Sequence, residues 1–216
     1  MTLTLNRRRE PLTSLALYHL FKWSAVAPAL RFYFRGRVHG LDQVPQAGPL
    51  IVVANHASDF DPPLLSACMR RPVSYMAKEE LFRVPVLSQA IRLYGAYPVK
   101  RAAADRSAIR AAIHQLQQGW AVGIFLSGTR TPDGRIPNPK LGAAMIAAKV
   151  QAPLLPVSLW GTQHILPRGS RFPQPAPITV RIGAAIAPPP SSSRVHLEAT
   201  TQQCVDAIHA LHDLGR

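Results

Sequence analysis

Residues 50–63 read LIVVANHASDFDPP. Five apolar residues in a row, four of them β-branched or Leu, are the pattern of a strand covered on both faces. The run ends at Asn55-His56, and Asp61-Pro62 then opens a helix, with Asp at the cap and Pro at the first helical position. A strand that turns into a helix at polar residues is the local grammar of an α/β sheet, in which ligands gather beyond the carboxyl ends of strands. His56 with a carboxylate five positions on can form an imidazole–carboxylate pair. Such a pair fixes the ring tautomer and stabilises the imidazolium once the ring has taken a proton. An ordinary imidazole, titrating near ~6.5, suits a general base at neutral pH. Asp59 competes for the same ring, and the plain structural alternative is a helix cap beside a loop histidine.

Working outward, strand-like runs recur at residues 73–76, 96–99, 121–126, 154–159 and 178–182. Helical periodicity separates them at 62–69, 85–94, 105–118 and 141–150, and a last amphipathic stretch runs from about 194 to 214. The alternation predicts an α/β fold: a mixed, mostly parallel sheet flanked by helices. No internal repeat is present, and Pro188 to Ser193 (PPPSSS) reads as a connector.

With 216 residues, 47% hydrophobic and 17% charged, the chain is long enough for one proper core and too apolar for a disordered protein. Its formal net charge of +14 predicts an anionic partner. Two cysteines, Cys68 and Cys204, stand too far apart for a metal knuckle and are too few for a disulfide framework. The excess charge begins early. Residues 1–37 hold Arg7, Arg8, Arg9, Lys22, Arg31, Arg35 and Arg37 against Glu10 alone, with Tyr18, Phe21, Trp23, Phe32, Tyr33 and Phe34 among them. Cations and Pro28 interrupt this segment before about 18 apolar residues accumulate, so it reads as neither a membrane span nor a signal peptide. Aromatic and basic residues interleaved in this way suit an amphipathic helix lying in a bilayer interface. The expected organisation is an amphipathic membrane-docking element over residues 1–37 and an α/β domain over 38–216.

Several chemistries are excluded by absent motifs. The chain has no G-x-x-x-x-G-K-[ST], no G-x-G-x-x-G and no G-x-S-x-G. His209 and His212 share a helix face but lack a third ligand nearby, so an exposed face is expected there rather than a metal site.

Asn55-His56-x-x-x-x-Asp61 resembles the N-H-x-x-x-x-D signature of the glycerolipid acyltransferases, in particular the short lysophosphatidate type. Further blocks follow in order: residues 95–101 (GAYPVKR), 125–130 (FLSGTR) and 155–158 (LPVS). The resemblance covers residues 36–185 and implies the fold read above. It also implies transfer of a fatty acyl group from a thioester to the sn-2 hydroxyl of lysophosphatidate. His56 would be the general base and Asp61 its orienting partner. Asn55, Lys100, Arg101, Ser127, Gly128, Thr129 and Arg130 would bind substrate, the cations forking onto phosphate oxygens. No metal or cofactor is implied; the co-substrate would be acyl-CoA or an acyl-acyl carrier protein. The implied setting is the cytoplasmic face of a membrane, held peripherally or monotopically on an anionic surface. Ser127 stands where the family's third block usually has Glu, which makes an impaired or inactive membrane-surface relative the alternative. Nucleic acid is not the expected partner, since the arginines are dispersed and no recognition motif accompanies them.

Overall fold

The structure, a computed structural model, describes residues 16, 19–20, 22–93, 95–99, 106–167, 170 and 172–216. Among the described residues, seven strands form one sheet: β1 (Arg37–His39), β2 (Leu50–Ala54), β3 (Val73–Lys78), β4 (Ala96–Val99), β5 (Ala121–Phe125), β6 (Leu154–Trp160) and β7 (Thr179–Ile182). Their spatial order is β1-β7-β6-β2-β5-β3-β4. Every pairing is parallel except β6 with β7. Among the described residues, five α-helices accompany them: α1 (Asp61–Cys68), α2 (Pro85–Leu93), α3 (Arg106–Gln117), α4 (Gly142–Val150) and α5 (Arg194–Asp213). This is the mixed, mostly parallel sheet with flanking helices that the sequence predicts.

The run LIVVA is the centre of the molecule, between β5 and β6, and none of its five residues reaches solvent. Alternation sorts its side chains onto two faces. Leu50, Val52 and Ala54 pack with Leu64, Leu65 and Cys68 of α1 and with Leu30 and Phe34 of the N-terminal segment. Ile51 and Val53 pack on the other face with Ala112 and Leu116 of α3, Ile146 and Ala147 of α4, and Ile208 of α5. With both faces covered, β2 has to be apolar at every position, whereas a half-exposed strand would alternate.

The short strand β1 carries no apolar run and was not legible from sequence. Residues 37 and 38 both lie in β1, paired to Thr179 and Val180. Residues 22–33 form a helix whose Lys22–Val26 and Ala29–Tyr33 sections are wound as wide π turns. Leu30 and Phe34 are buried in the main core, so the described part of the leader is one of the sheet's covers. No helix among the described residues is long and apolar enough to cross a membrane.

Candidate active site

The parallel strands β2, β5, β3 and β4 present their carboxyl ends along one edge of the sheet, and the His56 turn leaves from the end of β2. His56 Nδ1 lies 2.7 Å from Asp61 Oδ2. The same oxygen accepts the backbone N–H of Ala57 at 2.7 Å and of Ser58 at 2.8 Å. Asp61 is fully buried, while the His56 side chain keeps 18% of its surface open. An ionised carboxylate only accepts hydrogen bonds. Nδ1 therefore carries the proton and donates it, which leaves the Nε2 lone pair for chemistry.

Local sequence explains why the carboxylate is available. From sequence, Asp61 is expected to cap α1; in the structure Phe60 holds the cap position and Asp61 makes no cap bond to the helix. Pro62 and Pro63 follow, and neither has an N–H to donate. Deprived of helix donors, the carboxylate turns back to the strand end and is held there by two loop amides. Phe125, at the end of β5, stacks its ring on the imidazole with centroids 4.1 Å apart and planes 18° apart. The ring is thus oriented at its edge by Asp61 and on its face by Phe125. No sequence motif marks that stacking contact.

Residues 125–130 run beside this turn. Leu126 N–H donates to the Ala54 carbonyl at 3.0 Å, and Thr131 N–H donates to the His56 carbonyl at 2.8 Å. Gly128 sits at φ 67°, a left-handed value that disfavours any Cβ, and it lets the chain reverse after β5. Gly128, Thr129 and Arg130 are exposed. Arg130 pairs with Asp59, so the carboxylate that competes for His56 in the sequence is engaged by a cation from the other block. Ser127 is buried, and its hydroxyl donates to the Thr129 carbonyl at 2.5 Å, closing the turn on itself. β4 ends at Val99 on the same edge, three strand spacings or about 14 Å from β2. Lys100 and Arg101 follow it and lie outside the described residues.

Asn55 is fully buried, its amide donates to the Leu159 carbonyl at 2.9 Å, and its side-chain oxygen accepts the Leu159 N–H at 2.8 Å. Both ends of the amide are used to bind β2 to β6, so Asn55 anchors the strand end that carries His56.

A second group of residues behind the site is not legible in the motifs. His212, expected on an exposed helix face, is buried, with its Nδ1 3.2 Å from the Ser158 hydroxyl. It also bonds the Asp133 backbone; burial first, and then the Arg135 guanidinium, hold it below the ordinary imidazole value. His209 Nε2 accepts the Ile136 N–H at 3.1 Å, and Arg135 pairs with Asp213. Gly134 (φ 71°) passes so close that a Cβ there would meet Asn55 Nδ2 at 2.9 Å and His212 Cε1 at 3.0 Å. Helix α5 thereby fastens residues 131–136, whose first member holds the His56 carbonyl. Among the described residues no three His, Cys, Asp or Glu side chains are grouped to hold a metal ion. Burial pushes the Cys68 and Cys204 thiols up to about 12, so neither offers a thiolate.

Residues 35–160 match the acyltransferase family model. A chloroplastic 1-acyl-sn-glycerol-3-phosphate acyltransferase of Brassica napus is 31% identical over 141 residues, covering 64% of this chain and 41% of that protein. The chain therefore spans less than half the length of that plant relative. A 1-acyl-sn-glycerol-3-phosphate acyltransferase of Bacillus subtilis is 32% identical over 145 residues, 66% of this chain and 72% of the relative. The crystal structure of the 1-acyl-sn-glycerophosphate (LPA) acyltransferase PlsC from Thermotoga maritima superposes with a TM-score of 0.69. It is 25% identical and covers 93% of this chain and 95% of its own.

Proposed function

The chain belongs to the acyltransferase family, and from that premise we propose that it transfers a fatty acyl group from a thioester to the sn-2 hydroxyl of lysophosphatidate, forming phosphatidate in phospholipid synthesis. The observation that carries this reading is the oriented pair: Nδ1–H of His56 bound to a buried carboxylate, with Nε2 left as a base. The relatives named above, all acyltransferases of 1-acyl-glycerophosphates, support the acceptor class.

In this mechanism the acceptor hydroxyl attacks the thioester carbonyl while His56 Nε2 takes its proton. Asp61 faces the imidazolium that forms and keeps it oriented. The tetrahedral oxyanion collapses, the carbon–sulfur bond breaks, and the departing thiolate receives the proton from His56. Ester and free thiol are the products, and no acyl-enzyme is required. The exposed guanidinium of Arg130 and, by family resemblance, Lys100 and Arg101 would hold the acceptor phosphate. Gly128 and Thr129 would line the approach, and Ser127 occupies the position where a Glu is usual. Acyl-CoA or an acyl-acyl carrier protein is the donor. The setting is the cytoplasmic face of a membrane, with the basic leader against anionic lipid and no nucleic acid involved.

The test is thiol release from each donor by the full chain, with and without lysophosphatidate. Release that requires the acceptor and disappears in His56→Ala is the expected result. Absence of acceptor-dependent release from either donor would assign the chain instead to the impaired relatives, with Ser127 the first residue to revert.

A further inference from the structure

The aromatic residues of helix 22–33 point outward to an unusual degree: Trp23 is 66% exposed and Phe32 is 76% exposed. A third large ring, Phe172, is 78% exposed and belongs to a different part of the chain, between β6 and β7. The two places are joined. The Tyr33 hydroxyl donates to the Pro173 carbonyl at 2.8 Å, and Gln174 N–H closes the turn onto the Ile165 carbonyl at 2.7 Å. These two hydrogen bonds bring Tyr33 and the turn bearing Leu166 and Phe172 together, with exposed Phe32 next to Tyr33 in the chain. Phe34 of the same segment packs its ring 6.5 Å from that of Phe60, the residue before Asp61. The surface thus adjoins the catalytic turn.

Charge indicates what covers it. No Asp or Glu occurs between Glu10 and Asp42, or between Asp133 and Glu198, so both contributing segments carry cations only. Arg31 and Arg35 are exposed beside the rings. Exposed rings among arginines, with no carboxylate in either segment, suit an anionic bilayer: rings at the acyl boundary, guanidinium groups at the phosphates.

We propose that the turn between β6 and β7 is a second membrane anchor, with Phe172 entering an anionic bilayer beside Phe32 and the Tyr33–Pro173 bond holding the two at a fixed angle. The proposal rests on the reading above in one respect, that the acceptor is a membrane lipid. Docking by two segments distant in sequence would fix how the sheet edge bearing His56 meets the surface, which one amphipathic helix leaves free to rock.

The experiment is sedimentation of the full chain with phosphatidylglycerol-containing vesicles, against phosphatidylcholine vesicles and at rising salt. Phe172→Ala should lower partitioning onto anionic vesicles about tenfold or more, as expected for withdrawing one ring from the apolar phase. Phe172→Trp should restore it, and Tyr33→Phe should weaken it to a lesser degree. Acyl transfer to a short-chain acceptor below its micelle concentration should stay at the parent level in Phe172→Ala. Unchanged vesicle binding by Phe172→Ala, with the fold intact by circular dichroism, would overturn the proposal even if acyl transfer is found. So would a change in oligomeric mass without loss of vesicle binding, because the rings would then face a second copy of the chain. Phe172-dependent binding by a chain without transfer activity would sustain the anchor and remove the catalytic reading alone.

Discussion

Two histidines flank Asn55 and are wired in opposite senses. At the strand end, His56 gives its Nδ1–H to Asp61 and keeps Nε2 unspent. Behind it, the His212 Nδ1 faces the Ser158 hydroxyl, the Asp133 backbone bonds the same ring, and the side chain is buried. Burial, with the Arg135 guanidinium nearby, disfavours the imidazolium of His212. The same side chain is thus a proton acceptor at one place and a neutral brace at the other, and its neighbours decide which. Asn55 links the two, since Leu159, to which it is bonded, follows Ser158 directly.

The largest break in this contrast is His56→Ala. General base catalysis is worth about 10²–10⁴ in rate. Thiol release should fall by at least about a thousandfold, with the thermal midpoint close to that of the parent because the ring removed is not part of either core. Transfer at parental rate would end the assignment of His56. Asp61→Asn comes next. The amide oxygen can still accept from Ala57 and Ser58, but its NH₂ cannot stabilise an imidazolium. A fall in kcat of about a hundredfold or more is expected, and a change confined to KM would contradict an orienting role.

Much of the fold and half of the site were legible because they rest on local rules. The five buried residues of β2 announce a central strand, and the proline pair after Asp61 announces a helix start. Strand β1 was missed because three residues, RVH, carry no periodicity; only the neighbouring β7 makes them a strand. The anchoring of Asn55 was hidden for a related reason: its partner Leu159 is 104 positions away. Phe125 on His56 and α5 on residues 131–136 are likewise contacts between elements, which spacing along the chain does not encode. The motif gives the Asp61–His56 pair but cannot show that the double proline is what frees the carboxylate for it.

Ser127→Glu sharpens the comparison from the acceptor side. In the structure the buried Ser127 gives its hydroxyl proton to the Thr129 carbonyl, so its oxygen has no proton left to donate to a substrate. A Glu reaches past the turn and gives the neighbouring Arg130 a second carboxylate besides Asp59, or accepts from the acceptor. Charge-assisted bonds contribute about 1.5–3 kcal/mol, or about ten- to a hundredfold at 1.4 kcal/mol per decade. Acceptor kcat/KM should rise within that range while the donor's KM stays fixed. An unchanged or lower acceptor efficiency would mean that the closed Ser127–Thr129 turn is itself the working arrangement.

The smallest effect is a pH slope from His212. Burial, reinforced by Arg135, sets its folded pKa below the ordinary 6.5, while the Asp133 backbone and Asp213 pull the other way and His209 adds to the lowering. The sign follows from linkage: below about pH 6.5 the unfolded chain binds this proton more readily than the folded one, so stability falls as pH falls. Above 6.5 both states are neutral at this ring and it contributes no slope. His212→Gln keeps a polar partner for Ser158 and cannot titrate. At pH 8 it should cost about 1–2 kcal/mol through an imperfect buried hydrogen bond. Urea unfolding at intervals from pH 8 to pH 5 should then show parent and variant converging below 6.5, because only the parent meets the penalty of charging a buried ring. Parallel curves across that range would mean that His212 takes up its proton in place and that the brace tolerates the charge.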